Sequence, residues 1–366
     1  MAEILVVTWD GGGNVPPATG IARELLSRGH RVRFVGHRAQ HRSLVDAGFE
    51  VAPSPRSRDF SGVQESSPVT MARTFSDRGL ARDVIAALDA RPADLVVVDC
   101  LLMGVLEAVR AHGTPYVVLE HLYDASYRSL LRGPIGLGMR LHGLRPGRAL
   151  AGAAARLVAS VPELDPSGER AGIEHVGPVV EWSPRVPGDP AVLVSLSTFA
   201  YPGMADCLQR LLDATAGLEA RVVVTTGPVV DPASLRTAAN HEVHRFVPHA
   251  ELMPHMSLVV GHGGHSTTMR ALAHDLPLVV MPMHPMVDQP VVGRSVARAG
   301  AGRVVPKAAP AKRVRPVIED LLADGPHRAA AARLGEAVRA RPGARRAADR
   351  VEDLVSHRRP GVPFGT

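Results

Sequence analysis

The stretch Ser257-Leu-Val-Val-Gly-His262-Gly-Gly-His265-Ser-Thr-Thr-Met-Arg-Ala-Leu-Ala-His274-Asp-Leu-Pro277 decides the fold. A short apolar run, Leu258–Gly261, passes at once into a glycine turn and then into a segment of helical length, which is the strand–turn–helix joint of a parallel α/β sheet. The same joint is an anion cradle. Gly263 and Gly264 carry no Cβ to hold a ligand off the backbone, and a helix beginning near His265 presents unpaired N–H groups with a partial positive charge. His262 adds a ring donor, and Ser266, Thr267 and Thr268 add hydroxyls at the same end. A plainer reading has the glycines making a tight turn and Ser266 or Thr267 capping the helix.

Outward from this joint, Val192–Leu196, Arg221–Thr225, Val243–Phe246, Leu278–Met281 and Arg303–Val305 are the other strand candidates of the C-terminal half. The N-terminal half repeats the rhythm in Ile4–Thr8, Arg31–Val35, Leu95–Val98, Tyr116–Leu119 and Leu157–Ser160. Between its first two strands, Ala18–Ser27 places Ile21, Leu25 and Leu26 on one helical face and is followed by Gly29, as expected just past a helix end. Pro178, Pro184, Pro187 and Pro190, with Gly177 and Gly188, interrupt both patterns and mark a linker. The expected organisation is α/β, with two Rossmann-like parallel-sheet domains: an N-terminal domain 1–180, a linker 181–190, a C-terminal domain 191–345, and a C-terminal helix and tail 346–366 packing back on the N-terminal domain. Ala308–His357 reads as Ala- and Arg-rich helices broken at Gly325-Pro326 and Pro342-Gly343, and the last nine residues as frayed.

With 366 residues, 45% hydrophobic and 21% charged, the composition is that of a soluble globular protein of two domains. The net charge of +6 does not indicate a nucleic-acid partner, because the densest basic cluster, Arg339 to Arg350, falls in a helical stretch and reads as a solvated face. Cys100 and Cys207 are too few for a disulfide framework or a zinc cluster, so a reducing cytoplasm is expected and no structural metal. No run approaches the ~18 apolar residues of a membrane span, and no leader precedes Ile4, so membrane insertion is not expected.

Taken with Pro282-Met-His-Pro-Met-Val-Asp288-Gln289, the glycine joint resembles the donor-binding signature of the inverting GT-B glycosyltransferases that act on natural products, His-Gly-Gly-x-Gly/Ser-Thr followed by a Pro-rich turn and Asp-Gln. Val194-Ser-Leu-Ser-Thr198, Phe246-Val-Pro-His249, Arg28-Gly-His30 and the run ending in Asp99 extend the resemblance over nearly the whole chain. It implies two domains facing a central cleft and no cofactor or metal. It further implies His262 on the α-phosphate, Gly264, Ser266, Thr267 and Thr198 on the diphosphate, Val247 on the base, and Asp288 with Gln289 on sugar hydroxyls. Gly13, His265 and His284 join this donor-binding group. The implied reaction moves a sugar, read as a deoxyhexose, from a TDP- or UDP-sugar to a hydrophobic aglycone with inversion. A homodimer is left open.

The chain departs from the family at the first glycine turn, where Gly11-Gly-Gly13-Asn14-Val15-Pro16-Pro17 replaces the commonest Gly-His-Val-x-Pro and its base histidine. Asn14 cannot accept a proton, although its amide could orient an acceptor, so base catalysis passes to another residue, to solvent or to an already acidic acceptor, the candidate residues being Asp99 and His121, with Asp10 a weaker third. The 282–288 loop is two residues longer than usual, bringing His284 toward the sugar or phosphate, and Ser197 stands for the usual glycine. Tyr116, Tyr123, Tyr127, Met71, Met103 and Met139 are candidates for an apolar acceptor pocket. A nicotinamide-dependent oxidoreductase would use the first glycine turn, with His37 and Arg38 on a 2′-phosphate, but the final glycine of G-x-G-x-x-G is missing and prolines stand where the helix should pack. A sugar-nucleotide-binding accessory protein or an epimerase would keep the fold and change the role.

Overall fold

In a computed structural model, which describes residues 1–62, 67–285 and 287–357, two parallel sheets stand one after the other in the chain. The terminal residues expected to fray lie outside the described residues. The first sheet comprises β1 (Glu3–Val7), β2 (Arg31–Val35), β3 (Glu50–Val51), β4 (Leu95–Asp99), β5 (Tyr116–Glu120), β6 (Ala155–Val158) and β7 (Glu174–His175), in the order β3-β2-β1-β4-β5-β6-β7. The second comprises β8 (Ala191–Ser195), β9 (Arg221–Thr225), β10 (His241–His244), β11 (Leu258–Gly261), β12 (Leu278–Val280) and β13 (Gly302–Val304), in the order β10-β9-β8-β11-β12-β13.

Continuous apolar runs become central strands because helices cover both faces of each sheet. Ile4 and Val6 pack on one side with Ile21 and Leu25 of the helix Val15–Ser27. Leu5 and Val7 point the other way, toward Leu80 and Leu106. In each sheet the strand order reverses between two neighbours, β1 and β4 in the first and β8 and β11 in the second. Loops diverge at such switch points and leave a crevice outside the carboxyl ends of the strands, where ligands bind in open α/β sheets.

Several expected boundaries shift. β6 starts two residues before Leu157, and β10 ends at His244 rather than Phe246, because its parallel register begins where the Asn240 carbonyl accepts the Val222 N–H. Phe246 is exposed in the loop beyond. The two-residue edge strands β3 and β7 carry no periodic pattern to be read. The first helix begins at Val15, so Pro16 and Pro17 occupy its first turn, where a missing N–H is no loss. They start the helix and do not obstruct it.

Residues 181–190 are exposed, lack regular structure and join the two sheets. The chain returns beside Gly177, whose φ of +98° suits a residue without Cβ and whose neighbour across the crossing is the Arg341 carbonyl. The helix Gly343–Ser356 then buries Ala347, Ala348, Val351 and Leu354 against the Ile21 and Leu25 face. Arg28 fastens it through Asp349 at 2.7 Å and Glu352 at 2.6 Å. Tyr123, Val161 and Leu164, from loops after β5 and β6, enter the core of the second sheet beside Met256 and Leu272. Among the described residues no helix is long and apolar enough to cross a membrane.

Candidate active site

The two switch points open into one cavity of about 900 Å³. Its N-terminal wall is Trp9 and Gly11 to Asn14 of the turn after β1, together with Leu101 and His121; its C-terminal wall is the loop after β8 and the start of the helix His265–Ala273. The walls come close at Gly12, whose φ is +71° and where an added Cβ would stand 2.9 Å from Thr198 Oγ1.

On the C-terminal side, Gly264 is the N-cap of the His265 helix and no side chain caps it. The capping reading of Ser266 and Thr267 therefore fails; both line the cavity instead, while Thr268 is buried. Gly263 bends at φ +85°, and its missing Cβ would meet Val280 Cγ1 at 2.7 Å. A Cβ on Gly264 would stand 2.6 Å from His262 Nε2, so the imidazole lies flush against the bend. Burial, with His249 nearby, lowers the His262 pKa to about 4, and the ring is a neutral hydrogen-bonding group near pH 7. Its Nδ1 is buried without a partner. Burial lowers His265 to about 3, with His121 adding to the effect. The His265 ring reaches the cavity wall but packs edge-on to Tyr123 at 5.3 Å, at the contact between the two halves of the molecule.

The remaining donor-side candidates divide. Gly13, Thr198 and Val247 line the cavity, and His284 does so with its ring stacked on Tyr201 at 6.1 Å. Asp288 also faces the cavity; its carboxylate caps no helix, and burial raises its pKa against the opposing pull of His121. Gln289 is buried and its Oε1 accepts the N–H groups of Met283 (2.7 Å) and His284 (3.2 Å). Its oxygen shapes the 283–284 loop, while both Asp288 and Gln289 line the cavity.

On the N-terminal side, Asn14 is buried and spends its amide N–H groups on Thr8 Oγ1 (3.0 Å) and the Trp9 carbonyl (2.9 Å). Its amide nitrogen braces the turn after β1, while its Oδ1 is buried without a partner and the residue lines the cavity. Asp99 and His121, by contrast, are brought together. Asp99 ends β4, His121 follows β5, and the pairing of Asp99 with Leu119 sets His121 Nδ1 3.0 Å from Asp99 Oδ2. Asp99 Oδ1 accepts the Leu101 N–H (2.9 Å) and the Trp9 indole N–H (3.1 Å), which fixes the carboxylate from the far side. Burial opposes a charge on His121, but the Asp99 carboxylate, with Asp288 and Glu120 farther off, outweighs it and raises the pKa. Asp10 is not on the cavity wall.

Trp9 and Arg270 were not foreseen. A lone tryptophan ahead of a glycine turn carries no signal of its own. Arg270 had one: it is four residues after Ser266 and so on the same helix face, and it lines the cavity with its Nε buried and unpartnered. Burial lowers its pKa, with Glu181 opposing. Lys307 also escaped notice; its Nζ donates to the Met283 carbonyl (2.8 Å) and the Pro202 carbonyl (3.2 Å), tying together the two loops of the C-terminal wall.

The apolar lining of the N-terminal side includes Met71, Trp9, Phe75, Leu101, Leu130 and Ile135. Met71 alone survives from the six residues expected there. Tyr116, Tyr123, Tyr127, Met103 and Met139 are buried in the cores, with the Tyr127 hydroxyl donating to the Cys100 carbonyl at 2.6 Å. Large side chains near strand ends are first used to fill layers between sheet and helices. His37 is also fully buried, and Arg38 donates to the Pro55 carbonyl, so the two residues proposed for a nicotinamide 2′-phosphate do not meet the cavity.

Two parallel-sheet domains that open both switch points into one cleft are the GT-B architecture, and over nearly its whole length the chain is similar to glycosyltransferases of natural-product type. Residues 209–354 match the family described as erythromycin biosynthesis protein CIII-like, C-terminal domain. Over 97% of its length the chain is similar to 4'-demethylrebeccamycin synthase of Lentzea aerocolonigenes, with 28% identity covering 100% of that protein. It is similar also to demethyllactenocin mycarosyltransferase of Streptomyces fradiae, with 26% identity over 97% of this chain and 87% of the relative. The solved structure of CalG4, the calicheamicin glycosyltransferase, superposes with a TM-score of 0.78 over 98% of this chain and 100% of that one, at 22% identity.

Proposed function

We propose that the chain transfers a sugar from a nucleoside-diphosphate sugar to a hydrophobic acceptor in one inverting displacement, with His121 as general base. The observation that carries this reading is a single cavity holding both an uncapped helix N-terminus and a carboxylate-oriented imidazole. With Nδ1–H donated to Asp99, the ring leaves its Nε2 lone pair for an acceptor proton. The acceptor oxygen attacks the anomeric carbon from the face opposite the diphosphate as its proton passes to Nε2. The bond to the diphosphate breaks with its electron pair, and the departing charge settles on the first-turn N–H groups, Ser266, Thr267, His262 and Arg270. Those groups take the place of a cation, so turnover needs no metal. Asp288 accepts from sugar hydroxyls, and Val247 with exposed Phe246 flanks the base.

The donor in this reading is a TDP- or UDP-linked deoxyhexose, which the similarity to a protein named for mycarosyl transfer favours. The first test is ligand-induced thermal stabilisation. Thymidine or uridine diphosphate at about 100 times its Kd should stabilise the fold by ~2.7 kcal/mol, and NADP should not. A shift with NADP alone would reject the reading.

Trp9→Phe tests the support of the base. Phenylalanine keeps ring contacts with Phe60 and Phe75 but removes the N–H donated to Asp99. Since a hydrogen bond to a charged group contributes ~1.5–3 kcal/mol and ~1.4 kcal/mol is a factor of ten, kcat should fall about tenfold or more, and the unfolding midpoint should fall as well because the same buried bond is lost from the folded state. Unchanged kcat would remove Trp9 from the catalytic arrangement.

A further inference from the structure

We propose that Asp99, Cys100 and His121 form a site for a thiophilic divalent cation, Zn²⁺ above all, whose binding switches the transfer reaction off. The carboxylate oxygen, the sulfur and the imidazole Nδ1 all lie within 4.8 Å of one another. Nδ1 is 3.0 Å from Asp99 Oδ2 and 3.9 Å from Cys100 Sγ. Among the described residues this is the one place where three such ligand atoms converge. Tetrahedral zinc with bonds of ~2.0–2.3 Å holds its ligand atoms roughly 3.3–3.6 Å apart, so small side-chain adjustments close the set.

The ligand chemistry selects the metal. Asp99 Oδ1 is already held by Trp9 and Leu101, which leaves Oδ2 to bind. One thiolate and one carboxylate neutralise a dication, so the buried complex carries no net charge, and water completes the three-protein-ligand arrangement familiar for zinc. Magnesium and calcium require several oxygen ligands and find a single carboxylate. On coordination the Cys100 thiol gives its proton to solvent. The imidazole proton moves from Nδ1, now bonded to metal, to Nε2, and Nε2 can no longer accept a proton from the acceptor. The inhibition, though not the coordination, rests on the reading of His121 as base.

The test titrates the full chain with Co²⁺, which replaces zinc and gives a thiolate-to-metal charge-transfer band, and assays turnover with Zn²⁺. The band should appear with one equivalent, vanish on Zn²⁺ addition, survive Cys207→Ala, and be absent from Cys100→Ala and from the better volume match Cys100→Ser. Zn²⁺ should lower wild-type turnover about 10²-fold, the lower end of a general base's contribution. A chelator should restore it, Mg²⁺ should have no effect, and the Cys100 variants should remain active with Zn²⁺ present. No band in the wild type, or a band that persists without the Cys100 sulfur, overturns the site. A band without loss of turnover overturns the inhibition and the base assignment together while leaving the coordination in place.

Discussion

His121→Ala should lower kcat by roughly 10²–10⁴-fold, the range a positioned general base contributes, with little change in the KM for donor. The size follows from what the alanine removes. Asp99 would keep its bonds to Trp9 and Leu101 but would face the cavity with no proton carrier between it and the acceptor, and a carboxylate is in general a weaker base than an imidazole. Among the described residues of the N-terminal wall nothing else takes over: Asn14 has its N–H groups committed to Thr8 and Trp9, and an amide does not accept a proton at neutral pH. Added imidazole should restore part of the rate in His121→Ala and none in the wild type, which a merely structural role for the ring would not produce. Turnover within threefold of wild type would move the base elsewhere or leave activation of the acceptor to solvent.

Why the sequence disclosed one half of this site more fully than the other is a question of how far apart the partners stand in the chain. The proposed donor cradle is local: Gly261 to Thr267 is a strand end, a bend and a helix start in seven consecutive residues, and every element of it follows from short-range stereochemistry. The central strands were legible for a related reason, since burial on both faces demands unbroken apolar runs. The base pair is not local. Asp99 and His121 meet only because β4 and β5 lie side by side in the register Asp99 to Leu119, so both appeared as separate candidates with nothing to join them. Trp9 was invisible because its meaning resides in a bond to Asp99 ninety positions away. At Gln289 the motif discloses the residue but not its local bonds: the amides of Met283 and His284 occupy its oxygen, while the residue still lines the cavity. Of the aromatic and methionine residues named for the acceptor pocket only Met71 reaches it, because composition does not say which way a side chain faces.

His262→Ala is expected to reduce kcat by about 10²-fold or more, as when one hydrogen-bond donor to a developing anion is lost. The imidazole is neutral at working pH because burial holds its pKa at about 4, so it acts as an N–H donor and not as a full positive charge. A donor aimed at the leaving diphosphate counts most when charge accumulates there, and the loss should therefore fall on kcat more than on the KM for donor. A defect confined to KM would mean that the ring merely binds the ground state. Gly264→Ala supplies an independent route to the same defect: its Cβ would come within 2.6 Å of the His262 ring, displacing the imidazole while leaving its chemistry intact. If both variants turn over at the wild-type rate, the bend at Gly263 and Gly264 is a packing device, and the diphosphate must leave from another surface of the cleft.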